Sequence, residues 1–165
     1  MTDHEAALRV LSQALQLEKD GQTFYLQAAE KVQDERCKRT FRSLADDERL
    51  HQEMIQRQLH AIEGEGNYVL LPDVTVERID LSERLFPPSG EEMQAKIERA
   101  YDELSALQIA LENEIKSYDL YRHAAVATAD AAGQQMYTWL ASAERTHFNM
   151  LMANYEAISS EVSWV

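Results

Sequence analysis

Glu48-Arg49-Leu50-His51 recurs 96 residues downstream as Glu144-Arg145-Thr146-His147. Sliding the chain along itself by 96 positions pairs residues 8–62 with residues 104–158 without a gap, and 17 of the 55 pairs are identical. Only about three to five identities would arise by chance, so the chain contains an internal repeat. Each copy is predicted to be a helical hairpin that carries Glu-x-x-His on its second arm.

The composition favours an almost entirely α-helical protein. The 165 residues include only 5 glycines and 3 prolines, whereas the good helix formers alanine, leucine, glutamate and glutamine are abundant. We expect a single domain over residues 1–165, because this length suffices for one substantial core. It divides into a first repeat at about 4–62, a crossover connection at 63–90 and a second repeat at about 91–160.

The first repeat shows apolar residues at alternating steps of three and four, which predicts two helices. A Thr2-x-x-Glu5 capping box starts the first helix, which should end near residues 32–33. Asp34 can cap a second helix over about residues 35–62, stopped by Gly64 and Gly66. The two core stripes are Leu8, Leu11, Leu15, Glu18, Gln22, Tyr25 and Ala29, then Cys37, Phe41, Leu44, Glu48, His51, Ile55, Leu59 and Ile62.

The second repeat follows a long connection that contains all three prolines and is not predicted to form a strand. A connection of this length can carry the chain back along a bundle. Ser89-x-x-Glu92 opens a helical stretch that ends near residues 127–129, with the turn at Asp130 and Gly133. The stripes are Leu104, Leu107, Leu111, Glu114, Tyr118, Tyr121 and Ala125, then Tyr137, Leu140, Glu144, His147, Leu151, Tyr155 and Ile158.

The charged residues within these stripes should lie at one height in the bundle. Glu18 and Glu48 are each about 15 residues from the turn near residue 33, or about 22 Å along their helices. The same geometry places Glu114 level with Glu144. Each Glu-x-x-His pair faces one side of its helix. Two packed hairpins would thus gather four carboxylates and two imidazoles in a central layer: Glu18, Glu48, His51, Glu114, Glu144 and His147.

Four ionised carboxylates in an apolar interior are prohibitive without compensation. Two divalent cations would neutralise all four, and neutral imidazole is a normal ligand for such ions. A set of oxygen and nitrogen donors without sulfur fits iron or manganese better than structural zinc. Glutamate from two helices with Glu-x-x-His from two others is the pattern of di-iron carboxylate bundles. A single such motif is usually a surface feature. The prediction therefore depends on all six residues lying on core stripes at one height and being related by the same 96-residue offset.

Other polar residues receive their own interpretations. Tyr25 and Tyr121 lie two turns along from Glu18 and Glu114, and we expect each hydroxyl to hydrogen-bond a ligand carboxylate of the opposite hairpin. The alternative is a core tyrosine with another partner. Asp47 points about 100° away from Glu48 and is expected to be solvated. We expect three further histidines to lie on the surface: His4, His60 and His123.

Charge and cysteine content exclude several classes of protein. The net charge of −13 argues against nucleic acid and anionic membranes as partners. Cys37 is the only cysteine, which excludes a disulfide framework or a Cys-x-x-Cys zinc site within these residues. We expect it to be buried. The N-terminal residues show no secretion signal and no stretch is long and apolar enough to span a membrane, so a cytoplasmic location is expected.

The sequence resembles the rubrerythrin family of the ferritin-like superfamily over about residues 4–160. The resemblance rests on Glu18 with Tyr25, Glu114 with Tyr121 and the two Glu-x-x-His motifs. The resemblance implies an up-down-down-up four-helix bundle that holds two iron ions, for which manganese or zinc could substitute. It also implies that Glu48 and Glu144 bridge the irons and that Glu18 and Glu114 are terminal ligands. His51 and His147 would each bind one iron.

Two features depart from the family pattern. Rubrerythrins proper carry a rubredoxin domain with two Cys-x-x-Cys sites, which a chain with one cysteine cannot form, so an external electron donor is expected. They also carry an additional carboxylate one turn after the glutamate of the third helix. Ser117 stands there, with Gly21 at the matching position of the first repeat. This departure predicts a more symmetric site and puts peroxidase activity in question.

The leading functional hypothesis is redox chemistry, in which a di-iron centre reduces peroxide or dioxygen. The first alternative is iron handling, as a ferroxidase or store. The second is a scaffold module in which bound metal contributes only folding energy. A homodimer is expected from the family resemblance alone.

Overall fold

The computed structural model describes residues 2–72, 74–75, 78–88 and 101–162, with the backbone alone at 101–102. Within these ranges no strand occurs, and no helix is both long and apolar enough to cross a membrane. Four long helices account for most of the residues, which confirms the prediction of an all-α fold. They are α1 (Asp3–Lys31), α2 (Glu35–Glu65), α3 (Tyr101–Ala127) and α4 (Ala131–Val162).

The helix ends of the first hairpin follow from local side-chain chemistry. Thr2 and Glu5 form the predicted capping box, and the Asp34 side chain accepts from the backbone N–H groups of Arg36 and Cys37. The prediction that α2 stops at Ile62 was short, because the helix continues through Gly64 to Glu65. Gly66 ends it by adopting the left-handed conformation with φ 79°, which glycine tolerates best.

The second hairpin differs from the prediction in one respect. Gly133 is not part of the turn but lies inside α4, where an added Cβ would meet the Tyr68 ring at 3.0 Å. Asp130 alone marks the turn, since its side chain accepts from the backbone N–H groups of Ala132 and Gly133. The predicted capping box at Ser89 lies outside the described residues.

Contacts at the two ends of the bundle define the direction of each helix. Near the start of α3, Glu103 Oε1 accepts from the backbone N–H groups of Gln33 and Asp34, at 2.7 and 3.1 Å. At the opposite end, the hydroxyls of Tyr68, just after α2, and Tyr137, near the start of α4, are 3.1 Å apart. The helix α3 therefore runs parallel to α2, and the order is up-down-down-up, as predicted.

The crossover is anchored to the bundle by polar contacts. Gln58 binds the backbone of Val69 from both sides, donating to its carbonyl at 2.7 Å and accepting from its N–H at 2.9 Å. Farther along, the Tyr118 hydroxyl donates to the carbonyl of Glu83 at 2.9 Å, while Leu71 is buried in the core. These contacts hold the connection against α2 at Val69 and against α3 at Glu83.

The core consists of two apolar clusters separated along the bundle axis. Tyr25, Phe41, Leu107 and Leu151 belong to the cluster near the α1–α2 turn. Leu11, Ile55, Tyr121 and Leu140 belong to the cluster at the opposite end. On every helix the acidic stripe residue lies between members of the two clusters. The fold thus isolates one polar layer in the middle of the bundle.

Replacing Asp34 with alanine is expected to lower the free energy of unfolding by about 0.5–2 kcal/mol, the usual value of an N-cap. Its pKa is lowered to about 2, chiefly by hydrogen bonds from Arg36 and from the backbone. A lowered pKa contributes stability above the unfolded-state value near 4. The difference between wild type and variant should therefore shrink as the pH falls toward 2.

This expectation can be measured by urea unfolding of metal-free protein at several pH values. The exposed Asp46, in the same helix, provides the matched control as Asp46→Ala. A loss of equal size in both variants would refute the capping role.

Candidate metal centre

The structure brings the six predicted ligand residues into one buried layer. Each of the four helices contributes one glutamate, and α2 and α4 each add the histidine one turn later. All six residues are only 1–3% exposed: Glu18, Glu48, His51, Glu114, Glu144 and His147.

Their donor atoms form two overlapping groups of four, and within each group all the donor atoms lie within 4.8 Å of one another. One group contains Glu18 and His51, and the other contains Glu114 and His147. Glu48 and Glu144 belong to both groups. This is the arrangement expected of two cation positions that share two carboxylates.

Both imidazoles turn the same nitrogen toward the carboxylates. Nδ1 of His51 lies 3.1 Å from Glu18 Oε2 and 3.1 Å from Glu144 Oε1. Nδ1 of His147 lies 3.5 Å from Glu114 Oε2 and 3.7 Å from Glu144 Oε2. The rings stack, with centroids 5.5 Å apart and planes 14° from parallel. Each ring therefore offers Nδ1 to its own group.

The two tyrosines contact the carboxylates across the hairpins. The hydroxyl of Tyr25 on α1 donates to Glu114 Oε1 on α3, and the hydroxyl of Tyr121 on α3 donates to Glu18 Oε1 on α1. Burial, together with the charge of the acceptor carboxylate, raises the pKa of both phenols, so they stay protonated donors. Each phenol contacts one oxygen of its carboxylate, and the second oxygen faces the imidazole of the same donor group.

Asp47 is a functional candidate that the sequence interpretation missed. Predicted to be solvated, its side chain is 43% exposed, yet Oδ2 lies 3.1 Å from Nε2 of His147. Asp47 is therefore partly exposed to water, as predicted, but it also reaches the His147 imidazole on α4. Trp139 was also missed, and its ring meets that of His51 edge-on at 5.5 Å. The sequence offers no clear signal for either contact, because both depend on how α2 and α4 are rotated against each other.

Without cations, protons balance part of the charge in the layer. Burial raises the pKa of Glu48 and Glu114, and the charge of Glu144 raises both further. Burial opposes protonation of His51 and His147, but the surrounding carboxylates raise the pKa of both imidazoles overall. Hydrogen bonds from its neighbours keep the pKa of Glu144 below its ordinary value despite burial. Cations entering the layer would displace these protons.

Unpartnered atoms in the layer show that it fits a metal. Among the described side chains, three buried polar atoms of this layer have no well-aligned hydrogen bond, although His51 Nδ1 lies 3.1 Å from one of them: Glu114 Oε2, Glu144 Oε1 and His147 Nδ1. Buried polar atoms normally have a partner, because leaving one without costs about 1–3 kcal/mol. All three atoms belong to the candidate donor groups, and carboxylate and imidazole donors suit iron, manganese or zinc.

Two depressions approach the layer from opposite sides. One, of about 370 Å³, lies between α2 and α4 and is lined by His51, Trp139 and His147. The other, of about 170 Å³, lies between α1 and α3 and reaches Glu48 and Glu114 past Gly21 and Ser117. A small molecule could therefore reach the carboxylates without passing the imidazoles.

Fold and site together define a ferritin-like four-helix bundle with a buried carboxylate–histidine cluster able to hold metal. The protein-family model described as Rubrerythrin matches residues 9–155 of the chain. The chain therefore belongs to the rubrerythrin family, whose members typically bind iron. Comparison with curated proteins gave no match, and neither did comparison with solved structures.

Proposed function

We propose that this protein is a dinuclear iron protein that reduces hydrogen peroxide or dioxygen with electrons from an external donor. The single observation that carries the proposal is the pair of overlapping four-residue donor groups that share Glu48 and Glu144. Membership of the rubrerythrin family favours iron over other cations. The metal in the cell, the oxidant and the donor are all parts of the proposal.

The ligand roles follow from group membership. Glu48 and Glu144 would bind both ions, whereas Glu18 with His51 and Glu114 with His147 would each bind one. Two iron ions held this closely would supply the two electrons that, with two protons, break the O–O bond of peroxide to give two water molecules. Four carboxylates offset the four positive charges of two divalent ions, so the buried layer becomes neutral.

The protein residues supply orientation and access. Tyr25 and Tyr121 hold one oxygen of Glu114 and Glu18, which limits rotation of these carboxylates and directs the other oxygen to the ion. The depression past Gly21 has a volume of about 170 Å³, which is enough for a molecule as small as peroxide. A Cβ added at Gly21 would lie 3.5 Å from the Glu48 carboxyl carbon and would take up part of this space. The apolar clusters above and below the layer leave the two lateral depressions as its routes of access.

Electrons would come from outside these 165 residues, because a single cysteine cannot form a rubredoxin site within them. We include a homodimer in the proposal on family grounds, and we keep the cytoplasmic location that the sequence predicts.

Anaerobic loading with Fe²⁺ tests the proposal. We expect two irons per chain, oxidation on addition of peroxide or oxygen, and repeated turnover with an artificial reductant. His60→Ala, at an exposed histidine on α2, is the control for adventitious metal binding. A chain that never binds two irons would disprove the dinuclear centre.

One observation favours a second candidate, oxidation of iron without rapid turnover. Gly21 and Ser117 line the small depression where family members with peroxidase activity would place an additional carboxylate. A site without this carboxylate suits a ferroxidase. The two candidates differ in stoichiometry. A peroxidase consumes peroxide in large excess over iron when reductant is present, whereas a ferroxidase consumes oxidant only in proportion to the Fe²⁺ supplied.

A further inference from the structure

The two donor groups are related by the internal repeat, but their surroundings are not. Oδ2 of Asp47 lies 3.1 Å from Nε2 of His147. The repeat places Ala143 at the position of Asp47, so the equivalent position in the second hairpin has no carboxylate to offer His51. Instead the edge of Trp139 meets the His51 ring, and the repeat equivalent of Trp139 is Ser43. One imidazole therefore has an acidic neighbour and the other an aromatic one.

A carboxylate behind a ligand imidazole has a defined effect. When Nδ1 binds a cation, the ring proton must reside on Nε2, which then donates to the carboxylate. This hydrogen bond fixes the tautomer and the orientation of the ring and makes Nδ1 a stronger donor. In the described part of the chain, every polar contact of His51 runs through Nδ1 instead. Of the two imidazoles, that of His147 is the one with a polar partner on Nε2 among the described residues.

We propose that Asp47 makes the two metal positions unequal, so that the group containing His147 binds a divalent cation more tightly than the group containing His51. The inference rests on the proposed function, because it needs the six residues to be ligands. Asp47 acts as a positioning residue through His147 and does not itself belong to either donor group. The protein would fill its two positions in a fixed order, the His147 group first.

A variant that lacks one of the two histidines keeps only one complete donor group. His51→Ala leaves the His147 group with its full donor set, and His147→Ala leaves the His51 group. We expect the His51→Ala variant to bind one Co²⁺ about 10- to 100-fold more tightly than the His147→Ala variant, the usual effect of losing or keeping such a partner. Cobalt is chosen because it does not react with oxygen here and because its visible absorption reports ligand geometry.

Asp47→Ala then distinguishes positioning from simple packing. Added to His51→Ala, it should weaken Co²⁺ binding about 10- to 100-fold, whereas added to His147→Ala it should change the affinity less than about threefold. Asp47→Asn, which keeps a neutral acceptor, should restore part of the loss. Asp46→Ala, an exposed neighbour, should have no effect. Circular dichroism of each variant confirms that it is folded.

The wild-type chain gives the same test without ligand substitutions. Its Co²⁺ titration should show two unequal steps, and Asp47→Ala should weaken the first and spare the second. Ala143→Asp should strengthen the second step, which a purely structural role for Asp47 does not predict. Equal steps unaffected by Asp47→Ala would overturn the inequality while leaving the proposed function intact. Failure of the wild type to bind Co²⁺ would overturn both.

Discussion

Replacing Glu144 with alanine is expected to abolish the binding of both iron ions. Glu144 is the α4 member of both donor groups, so its loss removes one donor from each position at once. Loss of an outer hydrogen-bond partner already costs about 10- to 100-fold in affinity, and loss of a shared ligand should cost at least the upper end of that range at each position. At iron concentrations that saturate the wild type, bound iron should fall from two per chain to none.

The contrast with Glu18 makes this expectation specific. Glu18 belongs to one group only, so Glu18→Ala should lose one iron and keep the other. Glu156→Ala, at an exposed position of α4, should keep both. Iron per chain is measured by elemental analysis after gel filtration, with circular dichroism as a check on folding. Two irons retained by folded Glu144→Ala protein would contradict the shared role of this carboxylate.

The architecture was predictable because two independent patterns, the internal repeat and the period of the apolar residues, indicate the same four helices. The 96-residue offset located both hairpins, and a heptad-like spacing of apolar residues located their inner faces. The helix ends were predictable where one side chain caps the backbone, as at Asp34. They were less predictable at Gly64 and Gly133, because whether a glycine ends a helix depends on what packs beside it.

The candidate ligands were predictable because hairpin geometry fixes height. Residues equidistant from a turn are level, so the spacing along the chain is enough to pair Glu18 with Glu48. The tyrosine contacts across the bundle were anticipated from the same register. The role of Asp47 was not, because it depends on the rotation of α2 against α4, which a single helical period does not determine.

The site also explains why the bundle keeps four carboxylates in its core. Apolar residues would pack there more favourably, because the polar layer separates two apolar clusters that would otherwise form one core. Protons taken up by Glu48, Glu114 and the two imidazoles reduce the cost in the metal-free state but do not remove it. The fold therefore bears a local instability that protons relieve in part and that two divalent cations would relieve further, which leads to an expectation for stability.

We expect the double variant Glu18→Gln/Glu114→Gln to be more stable than the wild type without metal and less stable with it. Glutamine keeps an acceptor for the hydroxyls of Tyr121 and Tyr25. It replaces two buried acidic groups, of which Glu114 must take up a proton in the metal-free protein because burial and Glu144 raise its pKa. Replacing buried ionisable groups with neutral residues of similar volume often raises stability, by up to about 1–4 kcal/mol, which corresponds to about 2–16 °C in Tm for a chain of this size. Metal at 1,000 times its Kd stabilises only a protein that binds it, by about 4 kcal/mol.

Thermal unfolding in chelator and in excess Mn²⁺ checks this reversal of order. Manganese avoids the redox chemistry of iron while using the same kind of donors. The matched control is Glu30→Gln/Glu112→Gln, which removes two exposed carboxylates from the same helices and should follow the wild type under both conditions. If the buried double variant were instead less stable than the wild type in chelator, the four carboxylates would be stabilising the fold by themselves, and cation binding would no longer explain why they are buried.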